Sequence, residues 1–318
     1  MRFTFPALVL TAFLLNSCTD SSSVYTAIDK LSFADAALKE CVLEAARKNG
    51  WSDAGHVDRL QCVNVEGEQV ADLSGIEQLV NLEELKLAHN VITDISLIGR
   101  LERLVRLDLG YNRIADIPKG ISYLTVTHLN LDHNRIHNIT WIRQFPDLRF
   151  LSLAHNQLTD ISPLGEVNSL QVLDLSHNTI SDTHPLGTQT ELRELDLSYN
   201  RLTVLDGLKT LTKLENLYLT GNRIVEIGAM QQLSDLIELD LSYNRVRSLA
   251  PLGGLTSLAR IILDGNPLDR IELIRDFGEL KLVSLKGVKG VPCTLIRQLQ
   301  SQFGDEAVVS DAGCETGS

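Results

Sequence analysis

The chain has 318 residues, 44% hydrophobic and 5% aromatic, with 29 Lys and Arg against 41 Asp and Glu, for a formal net charge of −12. This length holds one large domain or two ordinary ones with ample apolar material for a core. The acidity excludes a nucleic-acid binder, which needs a basic face against phosphates, and eight Pro with 21 Gly exclude collagen-like or Pro-rich disorder.

Residues 1–17 place Arg2 ahead of an apolar run from Phe5 to Leu15. The run is too short to span a bilayer and has the length of a signal-peptide core. Pro6 and the abrupt change to TDSSS argue against a buried helix. The stretch Leu15-Asn16-Ser17-Cys18 resembles the lipobox of bacterial lipoproteins. That resemblance implies cleavage before Cys18 and its acylation, as with palmitate, giving a membrane anchor. By analogy with Gram-negative sorting, Thr19 in place of Asp implies the outer membrane. Several acyl chains are needed for stable anchoring, since one chain binds marginally. Residues 18–30 are polar and read as a tether.

Residues 31–68 read as an N-terminal cap. Ser32-x-x-Asp35 is a helix-start signal, Leu38, Cys41, Val42 and Ala45 line one helical face, and Gly50 can end the helix. Residues 60–65 predict a first, degenerate strand, with Glu68 standing where the next coils carry Asn.

Over 69–289 the chain repeats. Asn90, Asn112, Asn134, Asn156, Asn178, Asn200, Asn222, Asn244 and Asn266 are each 22 residues apart. Five and three residues before each Asn stand Leu or Ile, as in Leu173 and Leu175, and two after it stand Ile, Leu or Val, as in Ile180. The L-x-L step is a period-2 strand that buries alternate residues. The Asn amide can donate to a neighbouring coil while its oxygen accepts from backbone amides, so that stacked coils form an Asn ladder. The return segments carry apolar residues every three positions, which suits 3₁₀-like turns. This pattern resembles the leucine-rich repeat family, and within it the 22-residue class of bacterial internalins. The resemblance implies an α/β solenoid: a horseshoe with a parallel concave β-sheet, a short 3₁₀ or irregular convex side, a helical N-terminal cap and a small C-terminal cap. Two repeats depart from the pattern, at Gly120 and at Thr183, His184 and Gln189, and predict local bulges on the convex side.

Residues 290–318 read as the C-terminal cap, with a short helix opening at Cys293. Lipidation of Cys18 leaves Cys41, Cys62, Cys293 and Cys314, an even set in an oxidising compartment. Cross-end pairings would span the whole solenoid, which leaves Cys41–Cys62 and Cys293–Cys314. Each closure contributes roughly 3 kcal/mol in the chain-entropy description.

No nucleophile–base signature, phosphate loop or zinc motif occurs, so no enzyme, cofactor or metal is expected. His89, His133, His155 and His177 share a column with Tyr111, Tyr199 and Tyr243 just before the Asn, and read as a permissive turn position. Asp108, Asp174, Asp196 and Asp240 face the concave side, where an exposed sheet is expected to give no desolvation. Arg113, Arg135, Arg201, Arg223 and Arg245 form a rim that Asp116, Asp206 and Glu226 are expected to neutralise. The concave face itself carries Arg106, His128, Phe150, Val172, Asp174, Asp196, Tyr218 and Asp240, with Ile262 beyond. Apolar residues among charges there predict a protein-binding face. The expected function is thus a non-enzymatic, monomeric, lipid-anchored protein that binds a protein partner and no nucleic acid. The alternative is a cell-envelope structural protein that binds an anionic glycolipid or peptidoglycan through the Arg rim.

Overall fold

A computed structural model describes residues 25–63, 67–120, 123–278 and 280–314. The signal peptide over 1–17, Cys18 and the start of the tether lie outside the described residues.

Twelve short strands form one parallel sheet in strict chain order. They are β1 (Arg59–Gln61), β2 (Glu84–Lys86), β3 (Arg106–Asp108), β4 (His128–Asn130), β5 (Phe150–Ser152), β6 (Val172–Asp174), β7 (Glu194–Asp196), β8 (Asn216–Tyr218), β9 (Glu238–Asp240), β10 (Arg260–Ile262), β11 (Leu282–Ser284) and β12 (Val308–Val309). From β2 to β11 the central residue of each strand pairs with the one a full repeat later, as Leu173 with Leu195 and Leu195 with Leu217. The result is an open, horseshoe-like leucine-rich-repeat solenoid of the α/β class.

The two periodicities fix this shape. In each strand the middle residue points into the coil and its neighbours point to the concave surface; Leu173, Leu195 and Leu217 are fully buried. The return path is made of 3₁₀ turns such as Ser96–Arg100, Ser162–Glu166 and Gly228–Gln232. Three residues per turn put Ile161, Leu164, Val167 and Leu170 on one inward stripe, and all four are buried. A strand against such a short return path curves the stack, so the sheet lines the inner face.

The Asn side chains close each coil. Nδ2 of Asn178 donates to the carbonyls of Leu153, Leu175 and Ser176 at 2.9–3.1 Å, and its Oδ1 accepts from the N–H of Leu158 at 2.9 Å. The same set recurs at Asn112, Asn134 and Asn200. It begins at Asn90, which donates to the Cys62 carbonyl and accepts from Val70. Glu68 is exposed, and β1 pairs Leu60 with Leu85, out of step with the 22-residue period.

Both ends are covered. Helix α1 (Ala36–Asn49) starts at Asp35, whose Oδ1 accepts from Leu38 N–H at 3.0 Å, and ends at Gly50 with φ of 71°. Asp35 Oδ2 also accepts from Ala71 and Asp72, tying the helix to the first coil. Although burial acts to raise its pKa, the N–H donors of Ala71, Leu38 and Asp72 hold the carboxyl below its ordinary value. The Cys41–Cys62 disulfide joins α1 to the residue following β1. At the other end the Cys293–Cys314 disulfide joins the first residue of α2 (Cys293–Phe303) to the segment after β12.

The irregular repeat after Asn178 keeps the path of its neighbours. The turn His184–Thr188 packs in line with Ser162–Glu166, and Thr183 and Gln189 are fully buried rather than bulged outward. Gln189 Nε2 donates to the carbonyls of Leu164 and Val167, and Thr183 Oγ1 accepts from Gly207 N–H, while Gln189 Oε1 is buried with no hydrogen-bond partner among the described residues. Gly207 lies so close that a Cβ there would stand 1.7 Å from the Thr183 carbonyl oxygen.

Candidate binding surface

Strand register assembles the concave surface. Arg106, His128, Phe150 and Val172 are successive partners on β3 to β6, and Asp174, Asp196, Tyr218 and Asp240 are successive partners on β6 to β9. The sequence-predicted face is therefore one continuous array of two adjacent columns. Phe150, Val172, Tyr218 and Ile262 are half-buried, each shielded by its flanking strands. The His128 and Phe150 rings stack with centroids 6.0 Å apart. A shallow depression of about 320 Å³ lies beside them, lined by Glu84, Lys86, Arg106, His128, Asn130 and Phe150. Burial, then the charges of Arg106 and Arg149, hold His128 below its ordinary pKa, so it presents a neutral ring at physiological pH.

The Asp column is structural as well as exposed. Asp174, Asp196 and Asp240 each accept from the backbone N–H two residues on, at 2.7–2.8 Å, which shapes the turn out of the strand. Asp108 accepts from Gly110 N–H and from the Asn130 side chain. The face does desolvate carboxylates, contrary to expectation. Burial and the charges of Asp174 and Asp240 push Asp196 up, against its hydrogen bonds to Ser198. Asp132, which nothing in the sequence marks out, is likewise raised, first by burial and then by Asp174, while Ser152 Oγ donates to it. Burial, then Glu238, Glu194 and Asp196, raises the Tyr218 phenol. The centre of the sheet is thus a partly dry, anionic strip with Tyr218 in it, and the β2–β5 end is more cationic and aromatic.

A second column, expected to be no more than a permissive turn position, proves to be a stack of rings. His89, Tyr111, His133, His155, His177 and Tyr199 follow one another with centroids 3.8–4.3 Å apart. Each has φ between 51° and 60°, a left-handed conformation that costs non-Gly residues energy. Stacking offsets that cost at about 0.5–1.5 kcal/mol per pair. The signal in the sequence is Gly221 and Gly265 in the same column, which marks it as left-handed. Among the described residues no group of three or more His, Cys, Asp or Glu is placed to hold a metal ion.

The ring stack has a pH consequence. Burial first, then the neighbouring histidines, holds His133 and His177 below the ordinary value of 6.5. The unfolded chain takes up protons as pH falls through 6.5, and the folded chain takes them up only lower, so acidification through this range lowers stability. Asp132 and Asp196 act oppositely at lower pH, since their raised carboxyls lose a burial cost on protonation. We expect urea midpoints to fall modestly between pH 7 and 5, and to flatten in the His133→Asn/His177→Asn variant, Asn being tolerant of left-handed φ. A wild-type midpoint constant over that range would contradict it.

Comparisons with known proteins agree with this architecture. The family model described as Leucine Rich repeats (2 copies) matches residues 80–122 and 190–232, and further leucine-rich-repeat models match 102–158 and 168–183. A search of curated proteins finds no significant match. Among solved structures, an internalin from Listeria monocytogenes matches with TM-score 0.69 and 23% identity, over 94% of this chain and 98% of that one. Internalin C2 from Listeria monocytogenes matches with TM-score 0.56 and 28% identity, over 75% and 97%. A leucine-rich-repeat protein of Leptospira interrogans matches with TM-score 0.68 and 26% identity, over 79% of this chain and 65% of that one. The chain carries leucine-rich repeats and is internalin-like in its architecture.

Proposed function

We propose that this chain is a non-enzymatic binding protein that holds a protein partner on its concave face and is tied to a bacterial outer membrane through lipidated Cys18. The observation that carries the reading is the composition of that face. Strand residues that point out of an open sheet are ordinarily polar, yet β5, β6, β8 and β10 present Phe150, Val172, Tyr218 and Ile262 amid charges. Half-buried anchors shielded by polar neighbours have the make-up of an interface hot spot. The fold supports the reading, because leucine-rich-repeat solenoids are generally binding scaffolds with an extended concave surface. The desolvated strip of Asp196 and Tyr218 adds discrimination, favouring a partner with a cationic or hydrogen-bond-donating segment opposite it.

The Phe150→Ala/Tyr218→Ala variant tests the face. Against a partner captured from cell-surface extracts, its affinity should fall at least about 30-fold, a hot-spot effect of about 2 kcal/mol or more. Unchanged affinity would remove the concave face from the account. The anchor rests on the Leu15-Asn16-Ser17-Cys18 motif and the polar tether. Radiolabelled palmitate should enter the wild-type protein and not the Cys18→Ser variant, and an unlabelled wild type would contradict the anchor.

A further inference from the structure

A different surface has chemistry that the concave face does not use. Arg113, Arg135, Arg201, Arg223 and Arg245 follow the buried Asn of their coils and are all exposed. The acids expected to neutralise them do not: Asp206 holds Lys209 at 2.5 Å instead. Among the described residues no carboxylate lies within 4.0 Å of any of the five guanidiniums. Arg201, Arg223 and Arg245 sit on consecutive coils, about 4.8 Å apart along the backbone stack. Three residues further along, the earlier coils carry Asp94, Asp116, Asn138, Asp160 and Asp182, four of the five acidic, but these three carry Val204, Glu226 and Ser248. The negative charge thins where the unpaired cations are densest.

Two residues before these Arg stand Tyr199, Gly221 and Tyr243, across the inward-pointing Asn. The six-ring stack ends at Tyr199, and among the described residues no ring stacks on Tyr243, which is 64% exposed. Gly221 contributes no ring between them, and the Tyr199 ring lies against it. Its φ is 70°, and a Cβ there would stand 2.8 Å from the Tyr199 ring. One stretch of this edge therefore offers open tyrosine surface next to three free guanidiniums.

We infer that this edge is a second binding site, for an anionic glycan chain. The guanidiniums take its sulfate or phosphate groups in paired hydrogen bonds, for which a planar, weakly hydrated fork is suited. The apolar face of a sugar ring lies on the exposed ring of Tyr243. A duplex nucleic acid is disfavoured, because three cations on a chain of net charge −12 release too few counterions to hold it.

Titration of the folded protein with heparin, a sulfated chain, and with delipidated lipopolysaccharide, a phosphorylated one, tests the site. At least one should bind in low salt, and which one binds identifies the source of the anion. Arg201→Ala/Arg223→Ala/Arg245→Ala should weaken binding at least about tenfold for each charge-assisted hydrogen-bonding pair removed, and Tyr243→Ala should weaken it further. Arg113→Ala/Arg135→Ala and the concave Phe150→Ala/Tyr218→Ala variant should bind the glycan as wild type does, which separates this site from the protein-binding face. The inference is overturned if neither glycan binds, or if Arg113→Ala/Arg135→Ala weakens binding as much as the triple substitution. It is equally overturned if inorganic polyphosphate or duplex DNA binds as tightly with no effect of Tyr243→Ala.

Discussion

Replacing Asn178 by Ala should lower the stability of the solenoid by about 3–5 kcal/mol, seen as a fall in the urea midpoint. The side chain is 6% exposed. Its removal strands the Leu158 N–H inside the stack and takes one of two Asn donors from each of the Leu153 and Leu175 carbonyls, which Asn156 and Asn200 still bond. The buried N–H left without a partner costs about 1–3 kcal/mol, and each further hydrogen bond lost about 0.5–1.5 kcal/mol. Because each coil is held mainly by its neighbours, a defect at Asn178 also weakens the coupling between the two halves. Asn138 is the control, since it lies outside the 22-residue column and bonds its own turn through Thr140 Oγ1. Asn138→Ala should stay within about 0.5 kcal/mol of wild type. Equal effects at the two positions would contradict the ladder as the element that closes the coils.

Phe145→Ala should cost a similar amount, about 3–5 kcal/mol, by a different route. The ring is fully buried in the convex half of its coil. It stacks face to face on Tyr123 with centroids 4.4 Å apart and meets Trp141 edge-on at 5.7 Å. Ala removes the transfer energy of the ring and leaves a cavity that the 3₁₀ turns on either side, fixed by their own hydrogen bonds, cannot collapse to fill. Phe145→Leu restores most of the volume and the residue type that coils further away carry in this column, at Leu101 and Leu211, so its cost should stay below about 1.5 kcal/mol. If both substitutions cost the same, cavity formation is not the cause.

The repeat was legible because one side chain per coil has to do the same task nine times, and the Asn column shows it without reference to any neighbour. The strands and the inward Leu columns follow from the same 22-residue spacing. What the sequence obscured has a common cause, since it depends on what the adjacent coil places alongside. His155 alone looks like a turn residue; only stacking on His133 and His177 makes it part of a ring ladder. Thr183 and Gln189 look like surface substitutions, and become core residues once Gly207 and the Leu164 and Val167 carbonyls are set against them. Asp196 looks exposed in a single strand, and is desolvated by flanking strands. The free state of Arg201, Arg223 and Arg245 is of this kind too, because Asp206 could have faced them and holds Lys209 instead. At the N-terminal cap the repeat is broken, so the register of β1 could not be extrapolated from the coils that follow.

The most direct measurement of the central claim places a photo-crosslinking amino acid on the protein one position at a time and maps partner adducts by mass spectrometry. Positions 150, 172 and 218 probe the concave strands. Position 124, occupied by an exposed Leu on the 3₁₀ side, probes the opposite surface. The account predicts that one protein partner is captured from the concave positions and not from position 124. Capture from position 124 alone, or with equal yield from both surfaces, would contradict it.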